Sequence, residues 1–521
     1  MKRTFLLAVL CLSALSAAPK IKVNHARNAA SYASPLAPNS GVAPGSRFIV
    51  IGEDLGPAES DPSAVTVKVN INGATYDAQV ISATNKQVVA VMPADAQVGQ
   101  GTVTLTFAGE SAETPVIVKE RAVGIFATGS YGDGAAIATN ADGNAITLLA
   151  PANPGKIARL RATGFGASLE GEIEVRIGSD AAANVSVNRV ADQPGIDEIQ
   201  FEVPASANGC FVPVAVRTGN NTWANFVTLA VAAEGTRCTS ATLGAADIDR
   251  IASGELKEVR VSSTIGSRVA ISMEGVEMVT DAISGSFHKM TIEDFAAGGQ
   301  FQGDFALGSC YVPAYSDIVP EGEVPETRMQ PLKTGNLTLN GPKGPRDLGR
   351  ANGDFAVELG QGFSIPLPPG VPAPPSSLYL EPGTYRYAAT AGEDVGAFNV
   401  EFQYNPAIWN NSNTISTVDR SKDLPITWTG GGANDLVVIT GSSAVESDDV
   451  EYSRTFICVA KASAGSFTVP SYILRQLPEG PVDRGMLGVL SVSEPKSFTA
   501  QGLDTANVST MRMALQQASY R

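Results

Sequence analysis

The stretch "AVTVKVNING", residues 64–73, puts Val65, Val67, Val69 and Ile71 at alternate positions, with Thr66, Lys68, Asn70 and Asn72 between them and Gly73 at the end. Successive side chains of a β-strand point to opposite faces, so this spelling describes a strand with one face on a core and the other in water. "TVTLTFAG", residues 102–109, repeats the pattern with Val103, Leu105 and Phe107. Turn residues return about every eight to fifteen positions, the rhythm of an antiparallel sandwich.

The plan then recurs. "PGSRFIVIGEDLG" (44–56) is echoed by "PGKIARLRATGFG" (154–166), and "VTVKVNING" (65–73) by "IEVRIGSDA" (173–181). "VMPADAQVGQGTVTLTF" (91–107) returns as "EVPASANGCFVPVAVR" (202–217). The offset stays close to about 110 residues, one immunoglobulin-like sandwich in length. The expected architecture is all-β: an entry segment over 19–37, tandem immunoglobulin-like sandwiches over 38–119 and 120–236, and a larger β-rich domain over 240–521.

The segments "NAASYASPLAPNS" (28–40), "IGEDLG" (51–56), "GIFATGSYGDGAAIATNADG" (124–143), "PANPGKIARLRATGFG" (151–166) and "GCFVPVAVRTGNNTWANFVTLAVA" (209–232) carry a resemblance. "PGSRFIVIGEDLG" (44–56) followed by "VTVKVNING" (65–73) and "VMPADAQVGQGTVTLTF" (91–107) resembles the IPT/TIG type of immunoglobulin-like domain. Residues 28–233 as a whole look like a paired module of secreted acidobacterial proteins. That resemblance implies fold and export, and no catalytic residue. The segment "ISATNKQVVAVMPADA" (81–96) departs from the family pattern, and the module here stands near the start of the chain rather than closing a longer one.

Composition agrees with strands joined by tight turns. Charged residues are 17% of 521, against about 25% in an average globular chain, and Gly 52 and Pro 32 are abundant. The net charge of −15 is spread along the chain, which repels phosphate backbones and argues against a nucleic-acid partner. "MKRTFLLAVLCLSALSAA", residues 1–18, has two early cations, an apolar run and small residues after it, the form of a secretory signal peptide and too short for a span. Cys11 belongs to that leader, since Leu10 stands where a lipobox needs a small residue. No later stretch is apolar enough to span a bilayer. Cys210, Cys238, Cys310 and Cys458 remain. An even count in an exported chain favours disulfides, and of three pairings the preferred one is Cys210–Cys238 with Cys310–Cys458.

Residues 240–521 are less regular. "AADIDRIASGEL" (245–256) reads as a short helix; "AFNVEFQY" (397–404), "LVVITGSS" (436–443), "RTFICVA" (454–460) and "GSFTVP" (465–470) read as strands. "IPLPPGVPAPPSSLYLEPG" (365–383) is an extended Pro-rich loop or crossing. A two-sheet jelly roll is one layout for the whole.

Three constellations raise chemistry. Ser286 and Lys289 in "SFHK" have SxxK spacing, followed by Ser316-Asp317 and by "KTG" at 333–335, in the order used by serine acyl enzymes. The 46 residues between Ser286 and Lys333 leave no room for the helical subdomain that separates those motifs, and the middle motif lacks its Asn. With only His25 and His288 in the chain, His-based triads and multi-His metal sites are nearly excluded. "GFGASLEG" (164–171) sits in a sandwich repeat with no helix to receive phosphate, so its glycines read as turn residues. Glu446, Asp448, Asp449 and Glu451 make a carboxylate-rich turn that reads first as solvated and second as a calcium site, with Asp142 in "TNADGNA" as a similar case. Trp409, Trp428, Tyr385, Tyr387 and Tyr404 lie close in sequence. Aromatic faces stack on sugars, although core anchoring is their ordinary role. Trp409, beside Asn410, Asn411 and Asn413, is the one expected to be exposed. Otherwise the chain needs no cofactor.

The functional expectation is a secreted, non-enzymatic surface or matrix protein that binds or scaffolds. Its partners would be cell-envelope or extracellular polysaccharide, or protein. The alternative is a carbohydrate-binding accessory protein using the aromatic region, and more remotely a serine acyl enzyme at Ser286.

Overall fold

A computed structural model describes residues 18–219, 222–239, 249–250, 253, 258–291, 305–313, 329–364, 376–447 and 450–521. Residues 1–17 of the expected leader, Ser316-Asp317, Asp448, Asp449, most of the expected helix at 245–256 and residues 365–375 of the Pro-rich segment lie outside them.

The chain is all-β. In the first sandwich, Val65–Ile71 alternates buried and exposed along its whole length, as its spelling requires. It pairs with Ala74–Ala83 on one side and Gly99–Phe107 on the other. Ala74–Ala83 changes partner midway: its first half pairs with Val65–Ile71 and its second with Gln87–Val91, with an irregularity between Val80 and Ser82. Such a bulge bends the strand, carrying it from one sheet layer to the other. The enclosed core includes Phe48, Val50, Val67, Val69, Val103 and Leu105.

The second sandwich has two separate sheets. Ile157–Thr163, Asp197–Glu202 and Ala183–Arg189 form one; Ile173–Ile177, Gly209–Thr218 and Val227–Val231 form the other. Gly209–Thr218 is buried at nine of its ten positions, both faces included. Val212, Val214 and Val216 face the sandwich's own core. Phe211 and Ala215, on the opposite face, enter a different core, together with Trp223, Phe226, Trp409, Trp428 and Phe456. The spelling "CFVPVAV", apolar at each position, is the signature of a strand covered on two sides.

The C-terminal region is built on one ten-stranded sheet. Its centre is the hairpin of two sixteen-residue strands, Glu258–Met273 and Val276–Thr291, flanked in parallel by Thr505–Gln517. One end is backed by the four-stranded sheet that holds Gly383–Ala389 and Phe398–Tyr404, with a core of Phe287, Leu337, Tyr385, Tyr387 and Phe402. The other end is backed by Leu424–Thr429 and its neighbours over the core shared with the second sandwich.

Both disulfides lie in that shared core. Cys210 and Cys238 are joined with Cα atoms 4.9 Å apart, and Cys310 and Cys458 with Cα atoms 4.0 Å apart, in the pairing expected. Among the described residues, no helix is long and apolar enough to cross a membrane.

From Ala26 onward the entry segment is a buried strap. Asn28 donates to Ala122 O (2.6 Å) and accepts from Ala30 N and Ser31 N (2.8 and 3.0 Å), tying it to the second sandwich. Ala29 N reaches Arg47 O of the first sandwich at 3.1 Å, and Ala33 and Ala37 pack on Tyr452 of the C-terminal sheet. Its small residues are required by this crowding. Gly124 and Gly132 complete the fit: a Cβ on Gly132 would stand 2.6 Å from Ala30 O, and one on Gly124 would collide with Asn28 Oδ1.

Candidate interdomain site

The aromatic set does not form a platform. Tyr385, Tyr387 and Tyr404 belong to the core behind the four-stranded sheet, whereas Trp409 and Trp428 belong to the shared core. Trp409 is 6% exposed, against expectation. Its three asparagine neighbours suggested a wet surface, but Asn411 is consumed internally. Asn411 Oδ1 accepts from Trp409 Nε1 (2.9 Å) and Thr427 N (3.0 Å), while its Nδ2 donates to Pro425 O (3.0 Å). Trp428 Nε1 donates to Ala462 O at 2.8 Å. Burial pushes the Tyr385 and Tyr404 phenols up to about 12, as desolvation of a phenolate must.

The acyl-enzyme spacing falls on a strand. Ser286 and Lys289 both lie in Val276–Thr291, where residues three apart point to opposite faces, so hydroxyl and amine do not meet. Lys289 Nζ is 2.6 Å from Glu258, and Lys333 Nζ is 2.9 Å from Glu393. His288 is nearly buried, with Nδ1 3.7 Å from Asp354. Glu446 stands opposite Glu451 in the hairpin register and pairs with Arg484 at 2.7 Å. Asp142 lies in a turn organised by Asn140, whose Oδ1 accepts from Asp142 N and Asn144 N at 3.0 and 2.9 Å. Among the described residues no group of three or more His, Cys, Asp or Glu is gathered to hold a metal.

What the fold does assemble is a cleft of about 360 Å³ on the second sandwich, beside its junction with the C-terminal region. Ala136, Ile146, Phe211 and Leu229 give it an apolar floor; Thr128, Thr147 and Asp133 supply polar groups. The loop "TGSYGDG" (128–134) positions Asp133. Gly129 N donates to Asp133 O at 3.1 Å, closing the loop, and Asp133 Oδ1 accepts from Gly134 N at 2.9 Å. Tyr311, at the sheet edge beside Cys310, donates its hydroxyl to the same carboxylate oxygen and lies 3.3 Å from Phe226 O. Burial, reinforced by the Asp133 charge, holds the Tyr311 phenol well above its ordinary range, so it stays protonated and donating. One carboxylate and two threonine hydroxyls over an apolar floor suit a ligand with hydroxyl or amide donors on a flat apolar body.

Asp133, Tyr311 and Phe211 were not singled out by the sequence as site residues. The available signals were the glycine-dense loop at 129–134 and the uninterrupted apolar strand at 210–216.

No family model matches the chain. No curated protein matches it either. Solved structures with detected similarity include a titin tandem substructure (13% identity, 42% of this chain and 100% of that one, TM-score 0.15). Another is SGBP-B of the Bacteroides ovatus mixed-linkage glucan utilization locus, in complex with a mixed-linkage heptasaccharide (10% identity, 87% and 96% covered, TM-score 0.15). A third comprises Sidekick-1 immunoglobulin domains 1–4 (9% identity, 96% and 99% covered, TM-score 0.12). At TM-scores this low they add nothing to the sandwiches visible in the chain's own sheets. Those sheets define the class: an all-β protein of tandem immunoglobulin-like sandwiches followed by a larger β domain.

Proposed function

We propose that the chain is a secreted, non-enzymatic surface or matrix protein that works by binding or scaffolding. The observation that carries this is the strand Gly209–Thr218, covered on both faces. A core shared across the junction holds the second sandwich and the C-terminal sheet in one arrangement, which is what a spacer presenting a binding face requires. In this reading the divisions at 38–119, 120–236 and 240–521 mark modules, of which the last two act as one mechanical body. Disulfides in the shared core fit an oxidising compartment, and the resemblance to secreted paired-module proteins supports export and a place at the cell surface. The partner class is an envelope or extracellular polysaccharide, or a protein.

A carbohydrate-binding accessory role is the second reading. With the aromatic set in the interior, it passes to the junction cleft and its Asp133, Thr128 and Thr147.

The test incubates the mature protein with insoluble polysaccharides and with cell envelopes of the producing organism, then compares pelleted fractions for wild type and Thr147→Arg. Thr147 is exposed, so the arginine blocks the cleft without entering a core. Polysaccharide binding lost in the variant supports the glycan reading. Envelope binding that survives the substitution supports the scaffold. Failure of the wild type to bind either contradicts the polysaccharide and envelope partners and leaves an extracellular protein as the partner class.

A further inference from the structure

Where the strap, the second sandwich and the C-terminal sheet meet, a cavity of about 10 Å³ is lined by Ser34, Asn39, Asn225, Tyr452 and Arg454 among others. Ser34 and Asn39 are 1% and 3% exposed, and neither Ser34 Oγ nor Asn39 Oδ1 has a protein hydrogen-bond partner. Buried polar atoms in folded proteins are nearly always partnered, by protein or by ordered water. The Asn225 amide cannot turn to serve them. Asn225 accepts from Ile125 N (2.8 Å) and donates to Ile125 O (2.9 Å) and Gly132 O (2.7 Å). Arg454 Nε donates to Tyr452 Oη at 3.0 Å, and one terminal nitrogen donates to Pro313 O at 2.8 Å.

The volume is that of about one water-sized sphere, the smallest space that can be hydrated. The lining offers an acceptor (Asn39 Oδ1), a group of either sense (Ser34 Oγ) and a cationic donor (Arg454). A neutral molecule with both donors and acceptors matches that set. A halide would place its charge against the Asn39 carbonyl oxygen, and an apolar filling would leave two polar atoms unsatisfied.

We propose that this cavity is a binding site for one solvent molecule, which donates to Asn39 Oδ1, shares a hydrogen bond with Ser34 Oγ and accepts from the Arg454 guanidinium. The strap then docks on the C-terminal sheet partly through water, while its Ala33 and Ala37 contacts with Tyr452 stay dry.

A crystal structure of the full chain, at a resolution that shows ordered solvent, tests this. One peak within hydrogen-bonding distance of Ser34 Oγ and Asn39 Oδ1 is the expected result; an empty cavity, or direct pairing of those two side chains with protein groups, overturns it. A crystal soaked in bromide is the second arm: an anomalous peak in the cavity would replace the neutral molecule by an anion and overturn the assignment. The third arm needs no crystal. Ser34→Val removes the hydroxyl and fills space, so a hydrated site predicts a fall in Tm, whereas a rise in Tm would identify a dry void.

Discussion

The two sandwiches share a plan and differ in what covers their outer faces. In Gly99–Phe107 of the first, the positions alternating with Val103 and Leu105 are Thr102, Thr104 and Thr106, and none of these is buried. In Gly209–Thr218 of the second, the positions alternating with Val212, Val214 and Val216 include Phe211 and Ala215, and these are interior. Hydroxyls on one outer face keep it wet; an aromatic and a small residue on the other let a second sheet dock. The difference between a free module and a fused one is written in a few alternate residues of one strand. Across the junction Trp223 also stacks on Tyr472 at 4.7 Å, with Arg176 over the same ring at 5.1 Å.

The comparison is broken most severely at Phe211. Phe211→Ala should cost about 3–5 kcal/mol, the range for emptying a buried phenylalanine site, and chemical denaturation should show the second sandwich and the C-terminal region destabilised together. Opening the Cys310–Cys458 link comes next. The double serine variant should lose roughly 2–5 kcal/mol by the same assay, since the bond closes a sequence separation of 148 residues inside the shared core. The first sandwich, which contains neither disulfide, should keep its own stability.

Asp197 sharpens the contrast through pH. It opens the strand Asp197–Glu202 with its side chain fully buried, whereas Gln87, which opens the strand occupying the same place in the first repeat, is exposed. Burial raises the Asp197 carboxyl from 3.8 to about 6, against the pull of Arg189 at 2.9 Å. Because the folded value lies above the unfolded one, this group favours folding most below about pH 4 and loses that contribution as pH rises through 6. The change amounts to about 3 kcal/mol at most. Asp197→Asn should flatten the stability of the second sandwich between pH 4 and 7, measured by denaturation at a series of pH values. The smallest effect is expected at Lys68, on the wet face of the first sandwich, 3.8 Å from an exposed Asp77. Lys68→Ala should change stability by no more than about 0.5 kcal/mol; a larger loss would mean that this face is covered too.

Much of the fold was legible because strand periodicity is local. The alternation in 65–71 and the echo about 110 residues later each need only the residues themselves. The cysteine pairing was legible from the even count and from keeping each pair within one part of the chain, Cys210 with Cys238 and Cys310 with Cys458. The strap was not: "NAASYASPLAPNS" has the composition of a loop, and only the crowding of Gly124, Gly132 and Tyr452 around it makes small residues a packing demand. Trp409 was misplaced for a similar reason, since nothing local says that Asn411 spends its amide on Trp409, Thr427 and Pro425. Asp133 of the cleft meets Tyr311 across 178 residues, a proximity that no local pattern encodes.

A shared core should make the second sandwich and the C-terminal sheet one cooperative body. Hydrogen exchange followed by mass spectrometry on the intact chain, wild type and Phe211→Ala, tests it directly. Peptides from Gly209–Thr218 and from Leu436–Ser447 should lose protection together in the variant, while Val65–Ile71 is unchanged. Loss confined to Gly209–Thr218, with Leu436–Ser447 as protected as before, would contradict it.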